Sequence, residues 1–154
     1  MANTFTAGQS VVVRVDTKKL DAIMKGDLEK ALQRIVEGAA FDVERLAKIA
    51  APIDTGAMAN SIHATLSWRE TGGHTSAVAA ARAARPDVGV HPEVKPVAGP
   101  GEVTAIVAAA VEYAGYVEFG TSRMAARPFL RGALNQVKKD FQEAARAELG
   151  GLAR

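Results

Sequence analysis

Apolar positions along this chain follow two rhythms. From Asp27 to Ala51, Leu28, Leu32, Ile35, Ala39, Val43, Leu46 and Ala50 recur at spacings of three and four, which draws one apolar stripe along a helix. The segment predicts roughly 37 Å of helix. Glu44 and Lys48 form a favourable i,i+4 pair on it. Pro52 stops it, because the residue before a proline avoids the helical region. A second long helix is predicted from Pro128, which the first turn tolerates. It runs through Leu130, Leu134, Val137, Phe141, Ala145 and Leu149, with Gly150-Gly151 as its end.

The other rhythm belongs to strands. Ser10 to Asp16 reads SVVVRVD, rich in Val and free of breakers. A short helix capped by Asp16 or Thr17 and ended by Gly26 is predicted after it. Asn60 to Trp68 alternates, with Ile62, Ala64, Leu66 and Trp68 on one face and His63, Thr65 and Ser67 on the other, as in a half-buried strand. Val103 to Ala110 is a further small, apolar strand, and the sheet is expected from about 10–16, 60–68 and 103–112. Between the last two lies an excursion, residues 69–102. It opens with the turn ETGGHT, offers two turns of helix in SAVAAARAAR, and continues as the Pro/Gly-rich PDVGVHPEVKPVAGPGE. An excursion of that length inside a compact domain is more often functional than inert.

These elements predict an α+β fold. A long N-terminal helix and a C-terminal helix pack on a small, mainly antiparallel β-sheet, with a long Pro/Gly-rich excursion, in one domain over 1–154. No internal repeat is visible. Aromatic residues make only 5% of a chain that is 48% hydrophobic, so the Ala-rich core buries little area per residue and a partner surface is expected to contribute. The net charge of +2 does not argue for nucleic acid by itself. Its distribution is more informative: 103–120 carry Glu112 and Glu118 with no base, while 121–154 carry seven Arg or Lys against three acids. With no cysteine, disulfides, thiol nucleophiles and thiolate metal sites are excluded. MANTFTAGQS has neither a basic nor an apolar signal region, and no uncharged apolar run reaches membrane-spanning length, so neither a signal peptide nor a membrane partner is expected.

Candidate chemistry begins with Asp54-Thr55-Gly56, the triplet with which retroviral-type aspartic proteases present a carboxylate. That chemistry needs two aspartates of a dimer within about 3 Å, on an all-β chain. Here a long helix and a proline precede the triplet and no Gly-rich flap is evident. The structural alternative is a compact reversal from helix to strand, with Asp and Thr side chains on nearby N–H groups and Gly at positive φ. His63, His74 and His91 lack metal-site spacing and are expected on the surface or in loops. No phosphate loop, Ser-His-Asp order or zinc pattern appears, so no catalytic residue, metal or cofactor is expected. Tyr113, Tyr116 and Phe119 recur at i, i+3 and i+6, as a turn of helix would present them to the core. Gly120 permits a sharp exit. Glu118 is expected to pair with one of Arg123, Arg127 and Arg131, which are spaced by four.

Two stretches, LAKIAAPIDTGAMANSI at 46–62 and YAGYVEFGTSRMAARPFLRGAL at 113–134, together resemble the tail-completion, or head–tail joining, family of long-tailed bacteriophages. Pro52, Asp54, Thr55 and Gly56 match its turn, and Asn60-Ser61-Ile62 its strand start. Tyr113, Tyr116, Val117, Glu118, Phe119, Gly120 and Thr121 match its aromatic segment, and Ala126, Arg127, Pro128, Phe129 and Leu130 its helix start. The resemblance spans about 14–149; the excursion is longer than the hairpin usual there. It implies a structural virion protein, not an enzyme, assembled in the host cytoplasm as a homo-oligomeric ring, a hexamer to match tail symmetry. Its implied partners are the head connector or stopper proteins and the tail terminator or tail tube protein. Passing double-stranded DNA would meet the channel non-specifically, with Arg123 and Arg131 the candidate contacts. Residues 69–102 would serve ring or inter-ring contacts. Alternatives are a tail-terminator ring, a protease-like dimer using Asp54, and a cellular interaction domain.

Overall fold

A computed structural model describes residues 10–16, 25–99 and 102–152. Its elements are β1 (Ser10–Asp16), α1 (Lys25–Ala50), α2 (Ala57–Ser61), β2 (Ile62–Leu66), α3 (Gly73–Ala84), β3 (Glu102–Ala109), α4 (Ala114–Phe119) and α5 (Phe129–Leu152). The sheet has three strands in the order β1-β3-β2, and both pairings are antiparallel. The expected α+β architecture is present: two long helices pack along each other and against a small antiparallel sheet.

One face of the sheet forms the core. Ile62, Ala64 and Leu66 of β2 and Val103, Ala105, Val107 and Ala109 of β3 meet Leu32, Ile35, Val36, Ala39, Ala40, Val43 and Ala47 of α1. Leu130, Ala133, Val137 and Phe141 of α5 complete the cluster. Alternation along β2 correctly assigns its core face. The opposite face is buried as well, however: every residue of β2 is inaccessible, because α3 packs on that side. His63 contacts the His74 ring there.

Several boundaries differ from the sequence expectation. Residues 57–61 form the short helix α2 and the strand begins only at Ile62, since Gly56 lies in the left-handed region and launches a turn of helix first. Most of the helix expected over 17–26 lies outside the described residues. Gly26 does not end a helix but sits in the first turn of α1. Toward the end of α1 the buried positions are Ala47 and Ala51, while Ala50 is exposed; a 3.6-residue period drifts away from a strict heptad. Gly150 and Gly151 do not terminate α5, which continues to Leu152. Glycine weakens a helix without ending it unless the backbone turns left-handed there.

The excursion is more ordered than its composition implies. Its SAVAAARAAR stretch, as far as Ala84, belongs to the 12-residue helix α3, which begins at Gly73 within the expected turn and has Ala77 and Ala81 buried. The chain then returns beside the end of β3: the His91 N–H donates to the Ala110 carbonyl at 2.7 Å and the Glu112 N–H to the Gly89 carbonyl at 3.0 Å. Arg69 pairs with Glu37 and ties the start of the excursion to α1.

Candidate functional site

Both stretches singled out in the sequence become corners, and they meet. At the first, Gly56 has φ 81°, a conformation that glycine adopts cheaply. The Thr55 hydroxyl accepts the Ala57 N–H at 3.3 Å and the Gly56 carbonyl accepts the Asn60 N–H at 3.0 Å. The triplet is thus a hydrogen-bonded reversal. Asp54 stands exposed beside it.

The second corner is tighter. From the N-cap Tyr113 through α4, Tyr113 and Val117 share one face, Ala114 and Glu118 a second, and Tyr116 and Phe119 a third, as spacings of three and four require. Ala114 and Glu118 are buried. Tyr116 is 64% exposed and Phe119 is also exposed, so the aromatic triplet does not enter the core as a unit. Ala114 and Glu118 take the inward face of α4, which leaves Tyr116 and Phe119 on an outward one. Phe129 and Phe141 supply the buried rings instead. Gly120 takes φ 76° and ψ 177°, and the chain folds over it into a turn. There the Thr121 N–H donates to the Met124 carbonyl at 2.8 Å, and the Arg127 N–H returns to the Val117 carbonyl at 2.8 Å.

Glu118 organises the start of α5. Only 3% exposed, its carboxylate accepts the backbone N–H groups of Leu130 at 2.9 Å and Arg131 at 3.0 Å, and Arg131 Nε at 2.9 Å. Arg131 Nη2 donates to the Glu118 carbonyl at 3.1 Å. The first turn of α5 has free N–H groups and a partial positive charge. Pro128 has no side-chain oxygen to cap them, so a carboxylate from α4 does so. The arginine paired with Glu118 is therefore Arg131, whose guanidinium also lies 4.8 Å above the Phe119 ring. Arg123 and Arg127 are exposed in the turn before the helix, so the spacing by four does not place the three arginines along one helix face.

Between the corners lies a cleft of about 340 Å³, lined by Pro52, Asp54 to Met58, Arg85, Tyr113, Val117, Met124 and Arg127. Burial raises the pKa of the Tyr113 hydroxyl; Arg85 opposes the shift and Asp54 adds to it. Sequence reasoning found both walls of this cleft, whose Met58 and Met124 lie inside the two stretches, but not Arg85, since no local pattern points the end of α3 toward residues 52–56. Around the corners several large apolar side chains are open to solvent: Ile49, Ile53 at 83%, Tyr116, Phe119 and Met124.

His63 departs from the expected surface or loop setting, whereas His91 lies in a loop. His63 is buried at 4% exposure, its Nδ1 is 3.0 Å from the Ser61 carbonyl, and its ring meets His74 edge-on at 5.0 Å. Burial lowers its pKa. The Ser61 carbonyl opposes this, His74 lowers it further, and Glu44 and Glu93 raise it. A strand face that looks polar in sequence is covered by α3, which brings His63 inside. Among the described residues no three His, Asp or Glu side chains are grouped to hold a metal, and no helix is long and apolar enough to cross a membrane.

Residues 17–120 match a family model, HK97-gp10-like, described as "Bacteriophage HK97-gp10, putative tail-component". The match takes in the Asp54 corner and α4 as far as Gly120. No curated protein and no solved structure matches the chain.

Proposed function

The chain belongs to the HK97-gp10-like family of bacteriophage tail components, and from that premise we propose that it forms a ring at the head–tail junction of a long-tailed phage. In this reading it completes the tail and joins it to the connector, with a central channel for DNA. It acts by assembly rather than by chemistry. The observation that carries the reading is the set of exposed apolar side chains about the two corners, Ile49, Ile53, Tyr116, Phe119 and Met124. Hydrogen bonds brace both corners. Large apolar side chains exposed about adjoining corners suit an association surface. A ring repeats one heterologous contact, and a hexamer suits tail symmetry.

The joining role rests further on the order of the two motifs, which resemble those of tail-completion proteins. Partners on either side are the connector or stopper proteins and the tail terminator or tube. DNA contact is sequence-independent and electrostatic. It falls to Arg123, with Arg131 adding what its ion pair with Glu118 leaves.

Electron microscopy of a lysate from phage lacking this gene tests the proposal. Filled heads beside separate tails of normal length are the expected result. Tails of irregular length would move the chain to the terminator layer, and intact infectious virions would overturn a virion role. Charge reversal at Arg123 and Arg131 that leaves DNA delivery unchanged would remove the channel contact.

A further inference from the structure

The two edges of the sheet are not equivalent. On the β2 edge, the outward N–H of Ala64 donates to Glu44 Oε2 at 2.9 Å and its outward carbonyl accepts the Thr71 hydroxyl at 3.1 Å. Glu44 is held in turn by Lys48 at 2.5 Å. Gly73 closes on the same carbonyl: a Cβ there would lie 2.8 Å from it. Side chains thus occupy the groups another strand would need, a recognised way to blunt an edge. The β1 edge differs. All seven residues of β1 pair inward with β3, and no described strand lies on its outer side. Among the described residues, the β1 edge is the one left open to a further strand.

A segment suited to that edge stands elsewhere on the surface. From Pro92 to Gly99 the chain runs without helix, turn or bend. It carries Val97 at 81% exposure and Val94 also exposed. Pro92 and Pro96 are four apart, so in an extended chain both missing N–H groups fall on one edge. The N–H groups of Glu93, Lys95 and Val97 fall on the other. Such a segment can pair on one side and not on both, which makes it a terminal strand. It cannot reach β1 of its own chain. Glu93, Lys95 and Pro96 line a cleft with Thr65 to Thr71, on the β2 side of the sheet, and β3 lies between β2 and β1.

We propose that residues 92–98 of one copy add as a fourth strand to the β1 edge of a second copy. The contact is heterologous, one surface on each protomer being different, so it propagates from copy to copy and can close a ring. It rests on the proposed ring and deepens that reading by naming the contact. The blocked β2 edge gives it direction.

The chain has no cysteine, so Val12→Cys with Val97→Cys in one polypeptide is a clean cross-linking pair. Oxidation of the assembled protein is expected to give a ladder of covalent oligomers, and a mixture of the two single variants only covalent dimers. A disulfide confined to monomers overturns the proposal. The finer test is parity. Lys95→Pro removes a pairing N–H and is expected to raise the concentration needed for assembly about tenfold. Ala98→Pro, whose N–H falls on the Pro92 and Pro96 edge that faces away from β1, is expected to leave assembly unchanged. Equal effects of the two prolines, or none from Lys95→Pro while the protein still forms rings by mass measurement, overturn the strand contact and leave the ring reading intact. Wild-type chain that stays monomeric at every concentration overturns both.

Discussion

The two corners are built to the same plan and differ in what surrounds them. Each has an acid, a glycine at positive φ two residues on, and a helix soon after: Asp54, Gly56 and α2 at one, Glu118, Gly120 and α5 at the other. At the first, a Cβ on Gly56 would meet only the Asn60 side chain at 3.8 Å, and Asp54 is exposed. At the second, a Cβ on Gly120 would lie 2.7 Å from the Ala126 nitrogen and 2.8 Å from the Met124 oxygen, and Glu118 is buried under four hydrogen bonds with its partners. The same local grammar is thus a surface turn in one place and a keystone in the other. Which it becomes depends on whether a second segment folds over it.

The largest expected effect comes from the buried acid. Glu118→Ala leaves two N–H groups of α5 without a cap and Arg131 without its partner, and is expected to destabilise the chain by about 3–4 kcal/mol in chemical unfolding. Glu118→Gln, which keeps an acceptor but loses the charge, should fall between. Next comes Gly120→Ala. Its φ and ψ lie in a region nearly confined to glycine, and the added methyl meets backbone that cannot step aside, so a loss of about 2–3 kcal/mol is expected. The matched change at the first corner, Gly56→Ala, has strain without a clash and should cost about 1 kcal/mol. Equal losses at the two glycines would break the comparison.

A smaller effect concerns acid. The folded-state pKa of His63 is depressed, chiefly by burial. Its stabilising contribution is therefore complete above the unfolded value of about 6.5 and is lost as pH falls from there through the folded value. Thermal stability should decline over that window in the wild type and decline less in His63→Asn. The smallest effect belongs to the residue that looks most catalytic in sequence. Asp54→Asn is expected to change stability by less than about 0.5 kcal/mol, as for an exposed position. Assembly into tails that is unaffected by it would confirm that the carboxylate performs no chemistry.

The sequence by itself determined the two long helices, the three strands and the order of the two corners. Those signals are local: apolar spacing on α1 and α5, valine runs in β1 and β3, and a proline or glycine where the chain must turn. It also marked Glu118 as a partner for an arginine. Only the tertiary structure decided that the arginine is Arg131 and that the same carboxylate caps α5. It likewise decided that Tyr116 and Phe119 face solvent, that α3 covers His63, and that Arg85 joins the two corners in lining one cleft. Periodicity reports which face of an element is apolar. It does not report what is packed on the other face, because that depends on segments far apart in the chain and on how closely their backbones approach.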